Sequence, residues 1–184
     1  VFSIGRVQLT LARSVPSLPL PDSAQLGAVP PGSAGTLAVL RMMAGIARQS
    51  AKLPLIRSLA IQITNGLPNK SYTAEVQAVQ QWVRRNVRYV RDVEGVETLT
   101  LPQYTIAQRA GDCDDHSMLV AALLLAIGHR CRYVAVGRTL ETLQHVFTET
   151  LVGRDWVAVE TTEPWPLGRV PNPRAYPARM VQSV

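Results

Sequence analysis

The apolar positions of this chain change period along its length. Between Thr36 and Ala51, Leu37, Leu40, Met43, Ala44 and Ala47 recur at helical spacing and leave Arg41, Arg48 and Lys52 for solvent. Pro54 opens a second helical segment that runs to about Thr64 and is closed by the turn sequence NGLPN. A third helix is predicted from Thr73 to Tyr89. Its Val76, Val79, Val83 and Val87 form one stripe with Trp82 beside it, while Arg84, Arg85 and Arg88 lie largely elsewhere, so the stripe reads as core. Residues 90–110 read as a loop carrying Pro102. The run Met118 to Ile127 is apolar throughout and about half the ~20 residues a bilayer span needs, which makes it a core helix, with Gly128 at its C-terminal cap. Beyond it the period falls to two. CRYVAVG (131–137) reads as a strand, and HVFTETLV (145–152), the turn Gly153-Arg154 and DWVAVET (155–161) read as a β-hairpin.

The ends of the chain lack either period. Residues 1–35 hold Pro16, Pro19, Pro21, Pro30 and Pro31 and form an extended arm, in which VQLTL (7–11) reads as one short strand. Residues 168–184, with three Pro and three Arg, form a basic tail that frays or docks. This leaves 36–167 as the single domain, and with 47% hydrophobic residues in 184 it can bury a real core. Arg6 and Arg13 interrupt the first apolar positions, so no secretory signal is expected. The net charge is +6, carried by 17 Arg and two Lys, but they are scattered, with no basic run or aromatic ladder. A solvated positive surface is the expectation, not a nucleic-acid site. Two cysteines, 18 positions apart, are too few for a disulfide framework.

One of those cysteines stands in GDCDDH (111–116), where a polar loop meets the most apolar run of the chain. A packed structural cysteine prefers apolar neighbours. Asp112 suits an N-cap and Asp115 the capping-box position, which puts Cys113 in the first helical turn, where the helix dipole favours the thiolate. The flanking carboxylates oppose it, so activation needs a cationic partner. Of the three histidines, His116 and His129 read as surface residues, and His145 begins the hairpin. With a two-residue turn of type II′, His145 faces Thr162, and Glu160 becomes its diagonal neighbour on the same sheet face, ~7–8 Å away between backbones. Cys113, His145 and Glu160 then supply a nucleophile, a base and an orienting acid. A loop one residue longer puts Glu163 on that face instead, and Glu149 is a weaker candidate. Cys113 and His116, on one helical turn, could be at most two ligands of a zinc site, so no metal or cofactor is expected. Cys131 reads as a packed small residue, as do Trp156 and Trp165 as core.

The stretch GDCDDHSMLVAALLLAIGHRCRYVAVG, followed by HVFTETLVGRDWVAVETTEP, resembles the transglutaminase-like branch of the papain-like cysteine hydrolases, and especially the short members encoded by tailed bacteriophages. The resemblance spans roughly residues 70–167, including VQQWVRRNVRYVRD. It implies an α+β fold in which a central helix bearing the cysteine at its N-terminus packs on an antiparallel sheet, with Cys113 as nucleophile, His145 as base and Glu160 as acid. It implies thioester acyl transfer on a protein or cell-wall peptide, released to water or to an amine, with the Cys113 N–H as one oxyanion donor and Gln103, Tyr104 or Gln108 as the second. The family's acid is usually an aspartate before a Thr pair, whereas here Glu160 precedes Thr161-Thr162. The phage resemblance also implies a virion-associated protein, made in the bacterial host cytoplasm and attached to other virion proteins by its arm and tail. A particle component with the same fold and no catalysis is the alternative.

Overall fold

The computed structural model describes residues 24–25, 32–91 and 98–184. The strand expected at 7–11 lies outside them. The elements run in the order β1 (Ala24–Gln25), α1 (Gly32–Ser50), α2 (Pro54–Thr64), α3 (Tyr72–Asn86), β2 (Arg88–Tyr89), β3 (Thr98–Leu99), α4 (Pro102–Gln108), β4 (Ala110–Gly111), α5 (Cys113–Ala126), β5 (Cys131–Gly137), β6 (Leu143–Val152), β7 (Asp155–Val159) and β8 (Ala178–Ser183). This is an α+β arrangement.

Helix α5 is the centre of the molecule. Its residues Asp114 to Leu124 are buried all round, because α1, α2, α3 and α4 pack on it from one side and the sheet from the other. Such encirclement is why its sequence shows no polar stripe. The helix starts on Asp112, whose carboxylate accepts the Asp114 and Asp115 N–H groups at 3.0 and 3.1 Å. It ends in a Schellman motif: Gly128 adopts φ +93°, its N–H bonds the Leu125 carbonyl, and the His129 N–H bonds that of Leu124, each at 3.0 Å. The valine stripe of α3 is buried as expected, together with Leu40, Met43, Ala44 and Ala47 of α1.

The main sheet is four-stranded and antiparallel, ordered β7-β6-β5-β8. Tyr133, Ala135, Val146 and Val159 face the helices, and Val134, Val136, Phe147 and Ala158 form a second cluster on the other face, closed by Tyr176. Alternation on β5 thus serves two apolar layers, which is why that strand carries few polar positions. The hairpin pairs Thr148 with Val159 and Val152 with Asp155 across Gly153-Arg154; Gly153 has φ +64° and Arg154 does not share a positive φ, as a type II′ turn requires.

Four segments differ from the expectation. Helix α3 stops at Asn86, and Arg88–Tyr89, read as its last turn, form β2 and pair with β4. The first helix begins at Gly32, inside the stretch read as arm. Residues 90–110 contain α4 and the short strands β3 and β4; α4 starts at Pro102 in its first turn, and its seven residues are too few for periodicity to register. The tail does not fray: residues 178–183 pair along β5 from Arg132 to Gly137 and make β8 an edge of the sheet. Among the described residues no helix is long and apolar enough to cross a membrane.

Candidate functional site

Three pieces of local structure set the cysteine. Strand β4 pairs in parallel with β2, placing Tyr89 beside Gly111, and the Val90 N–H bonds the Gly111 carbonyl at 2.9 Å. Gly111 is obligatory, since a Cβ there would lie 2.6 Å from the Cβ of Asp115. Asp112 then caps α5 and delivers Cys113 to the first helical turn, half-buried. The cap takes the amides of Asp114 and Asp115 and not that of Cys113.

The hairpin supplies the second part. Strand β6 carries His145 near its start, and β7 ends at Val159, so Glu160 follows directly and continues the strand's direction. His145 Nε2 and Glu160 Oε2 lie 2.6 Å apart. The other oxygen of Glu160 accepts both the Thr162 N–H at 2.7 Å and the Thr162 hydroxyl at 2.8 Å. Thr162 therefore holds the extra methylene of glutamate in one conformation. The Glu160 carbonyl is held in turn by the amide of buried Gln80 on α3, at 2.8 Å. Burial opposes a charge on Glu160, which is 1% exposed, but the His145 ring and the Thr162 donors outweigh it and hold its carboxyl below the usual range. With Glu160 ionised, Nε2 of His145 carries a hydrogen and Nδ1 is left as the basic nitrogen.

Cys113 and His145 line one cavity of about 570 Å³ with Tyr89, Arg91, Asp112, Asp114 and Glu141, and with Gly32 and Thr36 of α1. Helix α1 is fastened over this cavity by Glu141, which accepts the Ser33 N–H at 3.0 Å. The thiol at rest is protonated. Cys113 Sγ donates to Asp114 Oδ1 at 3.7 Å, and burial, then the Asp114 and Asp112 carboxylates, push its pKa well up, against the Val146 N–H directed at the sulfur. Asp114→Asn removes the nearer of those charges. Iodoacetamide labelling of Cys113 near neutral pH, resolved from Cys131 by peptide mass, is expected to speed up about tenfold, the equivalent of about one pKa unit. An unchanged rate would show that Asp114 does not govern the thiol.

Several residues sit elsewhere than expected. Asp115 completes the capping box, its carboxylate accepting from the Asp112 N–H while Asp112 accepts the Asp115 N–H, but it is also tied to a remote segment: its Oδ1 accepts the Thr100 N–H at 2.7 Å, and burial, chiefly, with the Asp112 charge, pushes its pKa up to about 7. His116 is not on the surface. It is 1% exposed, its Nδ1 is 3.1 Å from the Thr161 hydroxyl, its Nε2 makes no hydrogen bond among the described residues, and burial lowers its pKa to about 4. His129 is buried as well and meets Glu75 of α3 at 2.8 Å. Both histidines follow α5 into contacts with remote segments, which local pattern does not reveal. Glu163 is exposed, and Glu149 is engaged by Arg132 and Arg179 on the second face of the sheet, at 2.6 and 2.9 Å. Gln103, Tyr104 and Gln108 belong to α4 and none lines the cavity; Gln103 instead accepts from the Ser50 hydroxyl at 3.5 Å. Cys131 is buried, as a packed residue should be. Trp156 and Trp165 are half-buried, each beneath a guanidinium, Arg132 at 4.2 Å and Arg169 at 5.0 Å from the ring centroid.

Comparison with known proteins places this geometry. Among solved structures, a candidate cysteine protease from Cytophaga hutchinsonii aligns with a TM-score of 0.51 at 22% identity, over 70% of this chain and 47% of its own. A candidate protease from Parabacteroides distasonis aligns with a TM-score of 0.54 at 13% identity, over 66% of this chain and 26% of its own. The chain thus spans less than half the length of either, and the likeness is one of fold. No curated protein matches its sequence. The family model described as the transglutaminase-like superfamily matches residues 57–161, from α2 through the hairpin and Glu160. That match covers more than half of the chain, and the chain belongs to the transglutaminase-like superfamily.

Proposed function

We propose that this protein is a thiol acyltransferase or hydrolase in which Cys113 is the nucleophile, His145 the base and Glu160 the acid that orients it. The observation that carries this reading is the 2.6 Å pair of His145 Nε2 with a buried Glu160, in a cavity shared with the Cys113 thiol. Because the resting thiol is protonated, attack and proton transfer are coupled: Sγ adds to the acyl carbon as Nδ1 of His145 accepts the proton, and His145 returns it to the departing amine. Water or a second amine then releases the acyl group. A protein or cell-wall peptide is the proposed substrate.

The test is direct acylation. Incubation with p-nitrophenyl acetate is expected to release one equivalent of nitrophenolate in a burst and to add one acetyl group to the Cys113 peptide. Absence of acetyl-Cys113 would sink the enzymatic reading.

A second reading keeps the fold without the chemistry. It is favoured by the thiol's hydrogen bond to Asp114 and its raised pKa, which leave little thiolate at neutral pH. In either case we propose attachment to a phage virion, on the strength of the sequence resemblance and the Pro-rich arm, with other virion proteins as partners. Deleting residues 1–31 tests this part, since a truncated chain that still enters particles would refute attachment by the arm.

A further inference from the structure

We infer that Tyr89 is the second oxyanion donor of this site; the inference rests on the acyl-transfer reading above and assigns a role that α4 does not fill. When Sγ adds to an acyl carbon, the carbonyl π pair moves onto oxygen, and that charge must meet donors placed for it. The Cys113 N–H at the helix start is one, and the Asp112 cap leaves it out. His145 is occupied with the thiol and leaving-group protons and cannot serve both ends. The other side chains of the cavity near the cysteine narrow the choice. Asp112, Asp114 and Glu141 are acceptors, which would repel an oxyanion, and the other side-chain donors among the described lining residues are Thr36, Tyr89, Arg91 and Gln144; the Thr36 hydroxyl already donates to the Gly32 carbonyl at 3.4 Å, and of the four Tyr89 alone lies on the strand paired with Gly111.

Tyr89 is placed for the role by backbone. It is locked to Gly111 by the parallel β2·β4 pair, two residues before the nucleophile, on a different element from His145. Its ring stands edge-on to the buried His116 ring at 6.3 Å between centroids, which supports it from beneath, while the residue is 42% exposed and so reachable by a substrate. The Arg91 guanidinium lies beside the phenol and the Cys113 sulfur is close enough to act on it electrostatically. A phenol oxygen next to a guanidinium keeps its O–H for an anion. In the step, the S–C bond forms, the thiol proton passes to His145, and the oxyanion accepts from the Cys113 N–H and the Tyr89 O–H. Its collapse restores the carbonyl and expels the leaving group.

Two reagents separate this role from others. Acylation by p-nitrophenyl acetate passes through an oxyanion, whereas alkylation of the same sulfur by iodoacetamide does not. In the full chain, Tyr89→Phe is expected to slow acetylation of Cys113 by about 10²-fold and to leave its alkylation within about twofold of wild type, so the alkylation rate also reports that the site is intact. Equal acetylation rates in the two proteins would overturn the inference while leaving the proposed function standing. A parallel fall in both rates would overturn it too, since Tyr89 would then be shaping the thiol. A wild type that alkylates but never acetylates would instead remove the enzymatic reading.

Discussion

Glu160→Gln is expected to lower the rate of Cys113 acylation by ~10²–10⁴-fold, the range for a base forced into the wrong tautomer, with little loss of fold. The geometry dictates the direction. Oε1 of Glu160 receives two hydrogens, from the Thr162 N–H and hydroxyl, and Oε2 receives one from His145. A glutamine has one acceptor oxygen and one NH₂ group to offer. Turned so that its oxygen keeps Thr162, it presents N–H to His145 Nε2, which must become an acceptor; the ring hydrogen moves to Nδ1, and the base for the thiol is gone. Turned the other way, its NH₂ meets the Thr162 N–H, donor against donor in a half-buried place. The first arrangement is preferred, and activity is lost. Stopped-flow acylation with p-nitrophenyl acetate measures the rate, and ¹⁵N shifts of the His145 imidazole report the tautomer. A variant that acylates at the wild-type rate would remove Glu160 from the mechanism.

This pair also shows what was legible in the residues and what was not. The diagonal relation of His145 to Glu160 follows from a two-residue turn with glycine leading, because a hairpin register is fixed by its loop and counts outward without error. What a count cannot supply is the rotamer. The question raised by glutamate in place of the family's aspartate is answered by Thr162, which lies two residues on and whose donors fold the longer side chain back. The N-cap at Asp112 was legible for the same reason, being local. The identity of a second oxyanion donor was not, since Tyr89 reaches the cysteine through the two-residue parallel pair β2·β4, with a separation in sequence that no periodicity encodes.

The same division holds for the fold. Helices α1, α2, α3 and α5 and strands β5, β6 and β7 announce themselves by period because each is long enough to show an apolar face, or to be apolar throughout. Strand β8 does not, because its residues alternate between half-buried and exposed and it becomes a strand only by pairing with β5. His116 illustrates the hazard of judging burial by residue type. A histidine one turn from a polar loop reads as exposed, yet α5 is enclosed from its first turn, and the ring is buried between Tyr89 and Thr161.

Enclosure of that first turn has a thermodynamic consequence at Asp115, where the stability of Asp115→Asn relative to wild type is expected to rise with pH. The Asp115 carboxyl titrates near 7 in the folded state, raised first by burial and then by Asp112, against about 3.9 when unfolded. Between those values the folded chain binds the proton more than the unfolded chain does. The contribution of this group to stability is therefore greatest below pH 4, falls as pH rises towards 7, and is level above it. Three units correspond to about 4 kcal/mol at most. Asparagine keeps an oxygen for the Thr100 N–H and cannot ionise, so the pH-dependent loss is removed, while its NH₂ group cannot accept the Asp112 N–H and lowers the variant's stability by a similar amount at every pH. Measured by thermal denaturation, the melting temperature of Asp115→Asn relative to wild type should rise by about 5 °C or more between pH 4 and pH 8, given ~2–4 °C per kcal/mol for a chain of this size. Curves that stay parallel across that range would mean that Asp115 is ionised in the fold at low pH and that Thr100 and the helix start compensate its charge. The position of the residue makes the cost intelligible. A carboxylate there pins the segment at Thr100 to the first turn of α5, next to the nucleophile, and the price in stability is borne where the site must be held.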